Sequence, residues 1–251
     1  MNSIILSTIL ALAGSPSQAP EVIASSLISK MLLNYNSARS AQGRITTKQS
    51  AKNVTVETLT EIAIQQTARL LIRQTRTGTD GGRFLAIADG EYFAYDRPKG
   101  VLGKPRFVEP QFNYGRPMTL REVYMVVSGT FAEKSPPLDI IISRRDDLES
   151  LRNKWGKKFE ISGKAEIRGQ SVYVVRGTFL PFAELRNSVG EKPQGVLEMS
   201  ITEDGQLLKY VELANYVVPS AAQELIAVRT EWDLDIKLNG EIDSAIFSPV
   251  R

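Results

Sequence analysis

The stretch Asn53–Gln65 constrains the fold more than any other, because its side chains alternate without a break well beyond the usual strand length of about 5–6 residues. Val54, Val56, Thr58, Thr60, Ile62 and Ile64 fall on one side; Thr55, Glu57, Glu61 and Gln65 fall on the other. Period two is the signature of a strand with one dry face and one wet face. Residues Glu224–Leu238 repeat it: Ile226, Val228, Trp232, Leu234, Ile236 and Leu238 oppose Arg229, Glu231, Asp233, Asp235 and Lys237. Shorter alternating runs cover Ala68–Thr75, Gln42–Ser50, Lys158–Arg168, Ser171–Leu180, Gly195–Thr202 and Gln206–Tyr216. Strands of this kind predict a large antiparallel sheet that buries one face.

Arg83–Pro98 reads as a hairpin, its arms meeting at Asp89-Gly90, a pair suited to the positive φ of a tight turn. Phe84, Leu85 and Ile87 load one arm and Tyr92, Phe93 and Tyr95 the other, which places apolar groups on both faces. That pattern predicts a hairpin covered on both sides, central rather than at an edge and ended by Pro98. The following segment, Lys99–Pro117, scatters Pro105, Pro110 and Pro117 among isolated aromatics and reads as an ordered surface loop, not a strand.

Helical spacing appears in three places. From Glu21 to Ala38, Val22, Ile23, Leu27, Ile28, Met31, Leu32 and Tyr35 form one apolar stripe behind Pro20. Thr119–Val127 carries a capping box, Thr119 with Glu122, ahead of Leu120, Val123, Tyr124 and Val127. Ser143–Trp155 sets Leu148, Leu151 and Trp155 against a dense charged face and reads as a third short helix. The predicted class is mainly β (α+β), with residues 20–251 as one domain carrying a loop and helix insertion around 99–157.

The composition removes several chemistries. The chain has no cysteine and no histidine, which excludes disulfides, thiol nucleophiles, Cys- or His-ligated zinc and any Ser-His-Asp triad. Carboxylate or lysine chemistry survives. The acid pairs Glu57 with Glu61, Asp146 with Asp147, and Asp233 with Asp235 lie on polar faces, where they read as solvated charge rather than catalytic dyads. No GxGxxG or P-loop pattern is present, and the net charge of +3 is dispersed, so neither a nucleotide nor a nucleic acid partner is indicated. Residues 1–19 hold a short apolar run, Ile4–Leu12, followed by small residues, which matches a secretory signal peptide except that Met1, Asn2 and Ser3 bring no basic side chain.

Taken together, a helix with Lys30-Met31-Leu32 and Tyr35, the DGEYFAYDRP hairpin, mid-chain helices, GQSVYVVRG, ITEDGQLLKY and the closing LDIKLNGEIDSAIFSPV resemble the LolA-like lipoprotein-sorting superfamily. The resemblance implies an incomplete antiparallel β-barrel, a curved sheet with helices covering its concave face, and an apolar cavity between them. It also implies a periplasmic or otherwise exported protein with no cofactor and no metal, whose partner is a lipid, acyl chain or lipoprotein, with an envelope protein as a further possible partner. On that basis Ile23, Leu27, Met31 and Leu32 are expected to face Ile62, Ile64, Leu70 and Ile72, with Tyr92 and Phe93 on the same wall. Two rival classes stand beside the carrier: a sensor or interaction module of the RseB type, which an exposed apolar strip within 101–117 would favour, and a carboxylate enzyme, which needs converging acids.

Overall fold

The computed structural model describes residues 20–66, 68–77, 82–96, 106–113, 115–128, 135–142, 155–179, 195–217 and 225–248. In chain order it begins with α1 (Pro20–Ser37), then β1 (Ser40–Ala51), β2 (Val54–Gln65), β3 (Arg69–Arg76), β4 (Arg83–Ala88), β5 (Tyr92–Asp96) and β6 (Arg106–Pro110). A small hairpin follows, β7 (Phe112–Asn113) with β8 (Arg116–Pro117), and then α2 (Leu120–Ser128) and α3 (Pro136–Ile142). The second half supplies β9 (Trp155–Ile167), β10 (Gln170–Phe179), β11 (Gly195–Thr202), β12 (Leu207–Val217), β13 (Leu225–Leu238) and a 3-10 turn, Ser244–Phe247.

Among the described residues, eleven strands form one antiparallel sheet in the order β6-β5-β4-β3-β2-β1-β13-β12-β11-β10-β9. The first and last long strands meet in its middle, where Ala41 pairs with Leu238 and Ala51 with Val228. The sheet is curved and not closed, with β6 and β9 at its ends. Glycine is required at one point of the central seam. Gly43 has φ 154°, and a Cβ there would overlap the backbone carbonyl of Asp235 on β13.

Alternation places the apolar side of every long strand inward. Ile45, Ile62, Ile64, Leu70, Ile72, Leu234 and Ile236 are buried in one core cluster with Leu197, Met199, Ile201 and Val175 from the second half. The expected dry face of β2 starts only at Thr58: Val54 is 63% exposed, because the strand ends project beyond the buried interior. The outer face carries charge instead. Glu61 bridges Arg44 at 3.5 Å and Arg73 at 2.9 Å, and Lys209 meets Glu231 at 2.7 Å. Burial works against the Glu231 carboxylate, but hydrogen bonds from Lys209 and Arg229 outweigh it and hold its pKa below the usual carboxylate value.

The hairpin forms as its sequence dictates. Gly90 takes φ 100°, and the Asp89 carboxylate accepts from the backbone N–H groups of Glu91 and Tyr92, each at 2.8 Å. Both faces are covered: Phe84, Ala86 and Ala88 belong to the main core, while Ile87 and Ala94 are buried outside it. Those two continue an outer row through Leu71 and Ala63, and the C-terminal 3-10 turn, with Phe247 fully buried, comes back against β3 on that part of the sheet. The hairpin is interior to the sheet without being central, since only β6 lies beyond it.

Three local readings change. Arg106–Pro110, expected as loop, is an edge strand paired to β5, and its proline closes the strand where no further ladder partner is needed. The helix expected over Ser143–Trp155 falls outside the described residues up to 154, and Trp155 itself opens β9. Before that segment a short helix not foreseen, α3, forms from PPLDIII, with prolines in its first turn and Ile140, Ile141 and Ile142 buried. The capping box of α2 is present: the Glu122 N–H donates to Thr119 Oγ1 at 3.3 Å, and the Thr119 N–H donates to Glu122 Oε2 at 2.7 Å.

Candidate ligand-binding interior

The interior is built between the inner face of the sheet and the three helices. Helix α1 turns Ala24, Leu27, Ile28, Met31, Leu32 and Tyr35 inward and leaves Ser25, Ser26, Ser29, Lys30 and Leu33 outside. Burying side chains such as Met31 and Leu32 contributes about 1.5–3 kcal/mol each. The helix is held at its C-terminal half by the β11–β12 turn. Lys30 Nζ donates to the Glu203 carbonyl at 2.8 Å, Asn34 Nδ2 donates to the Asp204 carbonyl at 2.6 Å, and Tyr35 Oη donates to the Leu207 carbonyl at 3.4 Å. Burial pushes the Tyr35 phenol up to about 12.

The structure gathers most of the residues that the sequence proposed for an apolar wall. Leu27, Met31, Leu32, Ile62, Ile64, Leu70, Ile72 and Phe93 are buried members of one cluster, and Ile23 is half-buried against it. Their arrangement differs from a simple facing pair, because the close neighbours of α1 are β9, β11 and α3. Tyr92 does not share a wall with Phe93: adjacent residues on β5 address opposite faces, and Tyr92 is half-buried outside the cluster.

Along the strands the inner face changes character row by row. Leu70, Ile64, Ala41 and Leu238 pair across β3, β2, β1 and β13, and the next row holds Ile72, Ile62, Gly43 and Ile236. The third row is mixed, with Gln74 and Thr60 beside Ile45 and Leu234. In the fourth, Thr58, Thr47, Trp232 and Tyr210 stand side by side from β2 to β12, all buried. Successive rows are about 7 Å apart, two residues along a strand.

Sequence reasoning did not find this polar belt, although Thr58 and Thr60 interrupting an apolar face were its visible trace. Gln74 Nε2 donates to Thr60 Oγ1 at 3.3 Å, and Tyr210 Oη donates to Glu212 Oε1 at 2.9 Å. The Trp232 ring meets Tyr210 edge-on, with centroids 5.5 Å apart. From the helix layer, Tyr124 of α2 donates to Asp139 Oδ1 of α3 at 3.0 Å. Burial, reinforced by the Glu212 carboxylate and more distantly by Asp139, pushes the Tyr210 phenol well up; burial and Asp139 do the same to Tyr124. Among the described residues, four buried polar atoms, Thr58 Oγ1, Gln74 Oε1, Trp232 Nε1 and Ser135 Oγ, have no hydrogen-bond partner.

Among the described residues, the acid pairs read from the sequence do not converge. Glu57 and Glu61 sit in ion pairs with Lys48 and Arg44 on the outer face, Asp233 and Asp235 are exposed there, and Asp146 with Asp147 lies outside the described residues. Among the described residues no group of three or more acids is placed to hold a metal. An open cleft of about 980 Å³ lies at one end of the sheet between Ser37, Arg39, Gln65, Gln66 and the chain leaving β13 at Asn239–Ile242.

No protein-family model and no curated protein matches this sequence. Among solved structures, the chain is similar to the Mycobacterium tuberculosis lipoprotein LppX at 10% identity and TM-score 0.46, over 89% of this chain and 98% of that one. It is similar to the Pseudomonas aeruginosa MucA/MucB complex at 13% identity and TM-score 0.43, over 90% of this chain and 60% of that one. It is also similar to a LolA superfamily protein from Nitrosomonas europaea at 11% identity and TM-score 0.32, over 90% and 97%. Independently of these likenesses, the open curved sheet with helices against its inner face is the half-barrel arrangement that the sequence resemblance implies.

Proposed function

We propose that the protein is a non-enzymatic envelope module that takes an amphiphile, an acyl chain, a lipid or the lipid part of a lipoprotein, between its sheet and its helices. One observation carries this reading: the apolar inner face is continuous across β1–β5 and β9–β13 in a sheet that does not close on itself. A closed small barrel fills itself with its own side chains, whereas an open one closed by helices gains a second layer that is able to part from the first. Apolar contact is then the binding force, and it calls for no cofactor. The signal-like segment 1–19 supports export, and among the described residues no helix is long and apolar enough to cross a membrane.

Native mass spectrometry on protein purified from the envelope fraction of its own host, followed by lipid extraction, tests the reading. A stoichiometric lipid or acylated peptide is the expected result. Protein that is lipid-free and also fails to take up added amphiphile overturns it. A second reading, an interaction module of the RseB type, draws support from Val108 and Phe112, which are 46% and 58% exposed within the 101–117 stretch. Retention of a defined protein partner through the same purification would favour that reading.

A further inference from the structure

The third and fourth inner rows do something that a purely apolar core does not need. Thr58, Gln74 and Trp232 are at most 3% exposed, and each carries a polar atom with no partner. Natural interiors satisfy nearly all such atoms, so several on one surface call for an explanation. They are not scattered. Thr58 and Gln74 belong to neighbouring strands, and Trp232 is two strands from Thr58 in the same row, about 10 Å away at the usual strand spacing.

We propose that this belt is the head-group subsite of the amphiphile site, and that it selects an uncharged hydrogen-bonding head, such as a glycerol ester. The inference rests on the reading of the interior as an amphiphile site. The donor and acceptor inventory sets the chemistry. Trp232 Nε1 only donates and asks for a carbonyl or hydroxyl oxygen; Gln74 Oε1 only accepts and asks for a hydroxyl; Thr58 serves either. An ester beside a free hydroxyl answers all three. Charge beside these rows is mixed: the carboxylates of Glu212 and Asp139 bear on Tyr210, whereas Arg76 pairs with Thr58 at the end of β3 and the Arg168 guanidinium donates to the Leu234 carbonyl, so the choice of an uncharged head rests on the donors and acceptors. The apolar rows begin about 14 Å along the strand from Thr58, at Ile62 and beyond, so a chain attached to that head runs beside Leu70, Ile64 and Ala41. Thr58, Gln74 and Trp232 are buried, so entry of the head requires the groups packed over them to part.

The test titrates the whole, delipidated chain with three eight-carbon probes, monooctanoylglycerol, octyl phosphate and octane, followed by calorimetry and by the fluorescence of Trp155 and Trp232. The quantity read is the ratio of affinities, compared between the native chain and the double variant Thr58→Val with Gln74→Leu. The native chain is expected to prefer monooctanoylglycerol over octyl phosphate by about tenfold or more, and the double variant to lose that preference while binding octane as before. A preference for octyl phosphate, or a ratio unchanged in the variant, overturns the belt as a head-group site and leaves the amphiphile reading standing; ordered water alone would give the unchanged ratio. Failure of all three probes overturns the amphiphile reading and the belt together. Should circular dichroism show the double variant unfolded, Trp232→Phe takes its place, and it must weaken monooctanoylglycerol without weakening octane or the proposal fails.

Discussion

Replacing Gly205 by alanine tests how α1 is held over the sheet. Gly205 lies in the β11–β12 turn at φ +87°, where a β-carbon costs about 1–2 kcal/mol by itself. The added methyl would stand 2.9 Å from Asn34 Nδ2, 3.0 Å from Lys30 Cγ and 3.1 Å from the Lys30 carbonyl carbon. The two side-chain atoms can swing away, but the backbone carbon belongs to α1 and moves only if the helix does. Overpacking of this kind adds about 1–3 kcal/mol, which brings the expected loss to about 2–5 kcal/mol. Gly169 supplies the control, because it has φ +75° and open space, with no atom within 4 Å of the point a β-carbon would occupy. Gly169→Ala carries only the conformational cost, about 1–2 kcal/mol. Urea unfolding followed by the fluorescence of the two buried tryptophans gives both values, provided the m-values agree. Equal losses in the two variants, within about 0.5 kcal/mol, would refute the claim that α1 is clamped by this turn.

Gly43→Ala should be more severe than either, since the methyl meets the Asp235 backbone in the central seam; little soluble folded protein is expected, and normal expression with an unchanged melting temperature contradicts the close approach. Asp89→Ala removes the acceptor for two backbone N–H groups and should cost about 1–2 kcal/mol in the same urea assay, with Asp89→Asn recovering part of it. Glu122 is held near pKa 2 by the hydrogen-bonded Arg116 and by Thr119, against 4.5 for the free side chain, so its support of the α2 cap is complete above about pH 4.5 and fades as pH falls toward 2. Carboxyl NMR should show that low titration, and Glu122→Gln should flatten the acid arm of the stability curve. At the alkaline end the sign is opposite: the buried Tyr35, raised to about 12, binds its proton more tightly folded than unfolded, so stability present below pH 10 declines as pH rises toward 12. Loss of the Tyr35 phenol proton at pH 10 in still-folded protein, read as the difference in phenolate absorbance between the native chain and Tyr35→Phe, would contradict this.

Much of the fold is visible in single segments. The limits of β2, β11 and β13 lie within a residue or so of the alternating runs, the Asp89-Gly90 turn falls where the hairpin needs a positive φ, and Thr119 with Glu122 caps α2. Each signal is local: period two, a turn pair or a cap is complete within a few residues. The misreadings arise where locality fails. Arg106–Pro110 has too few residues and too many flanking prolines to announce a strand, and becomes one because β5 offers it a ladder. Trp155 sits at helical spacing from Leu151 but joins a strand because Phe179 of β10 pairs with it.

The sequence alone therefore determined the secondary structure of the long strands, the dryness of one sheet face and the chemistries that cannot operate without histidine or cysteine. These follow from side-chain periodicity and residue inventory, which need no knowledge of neighbours. Only the tertiary structure decided that β13 pairs with β1 and that Gln74, Thr58 and Trp232 share one buried belt. The physical reason is register: a hydrogen-bonded ladder aligns residues far apart in the chain, and no periodicity within one strand records which row of the next strand it will meet.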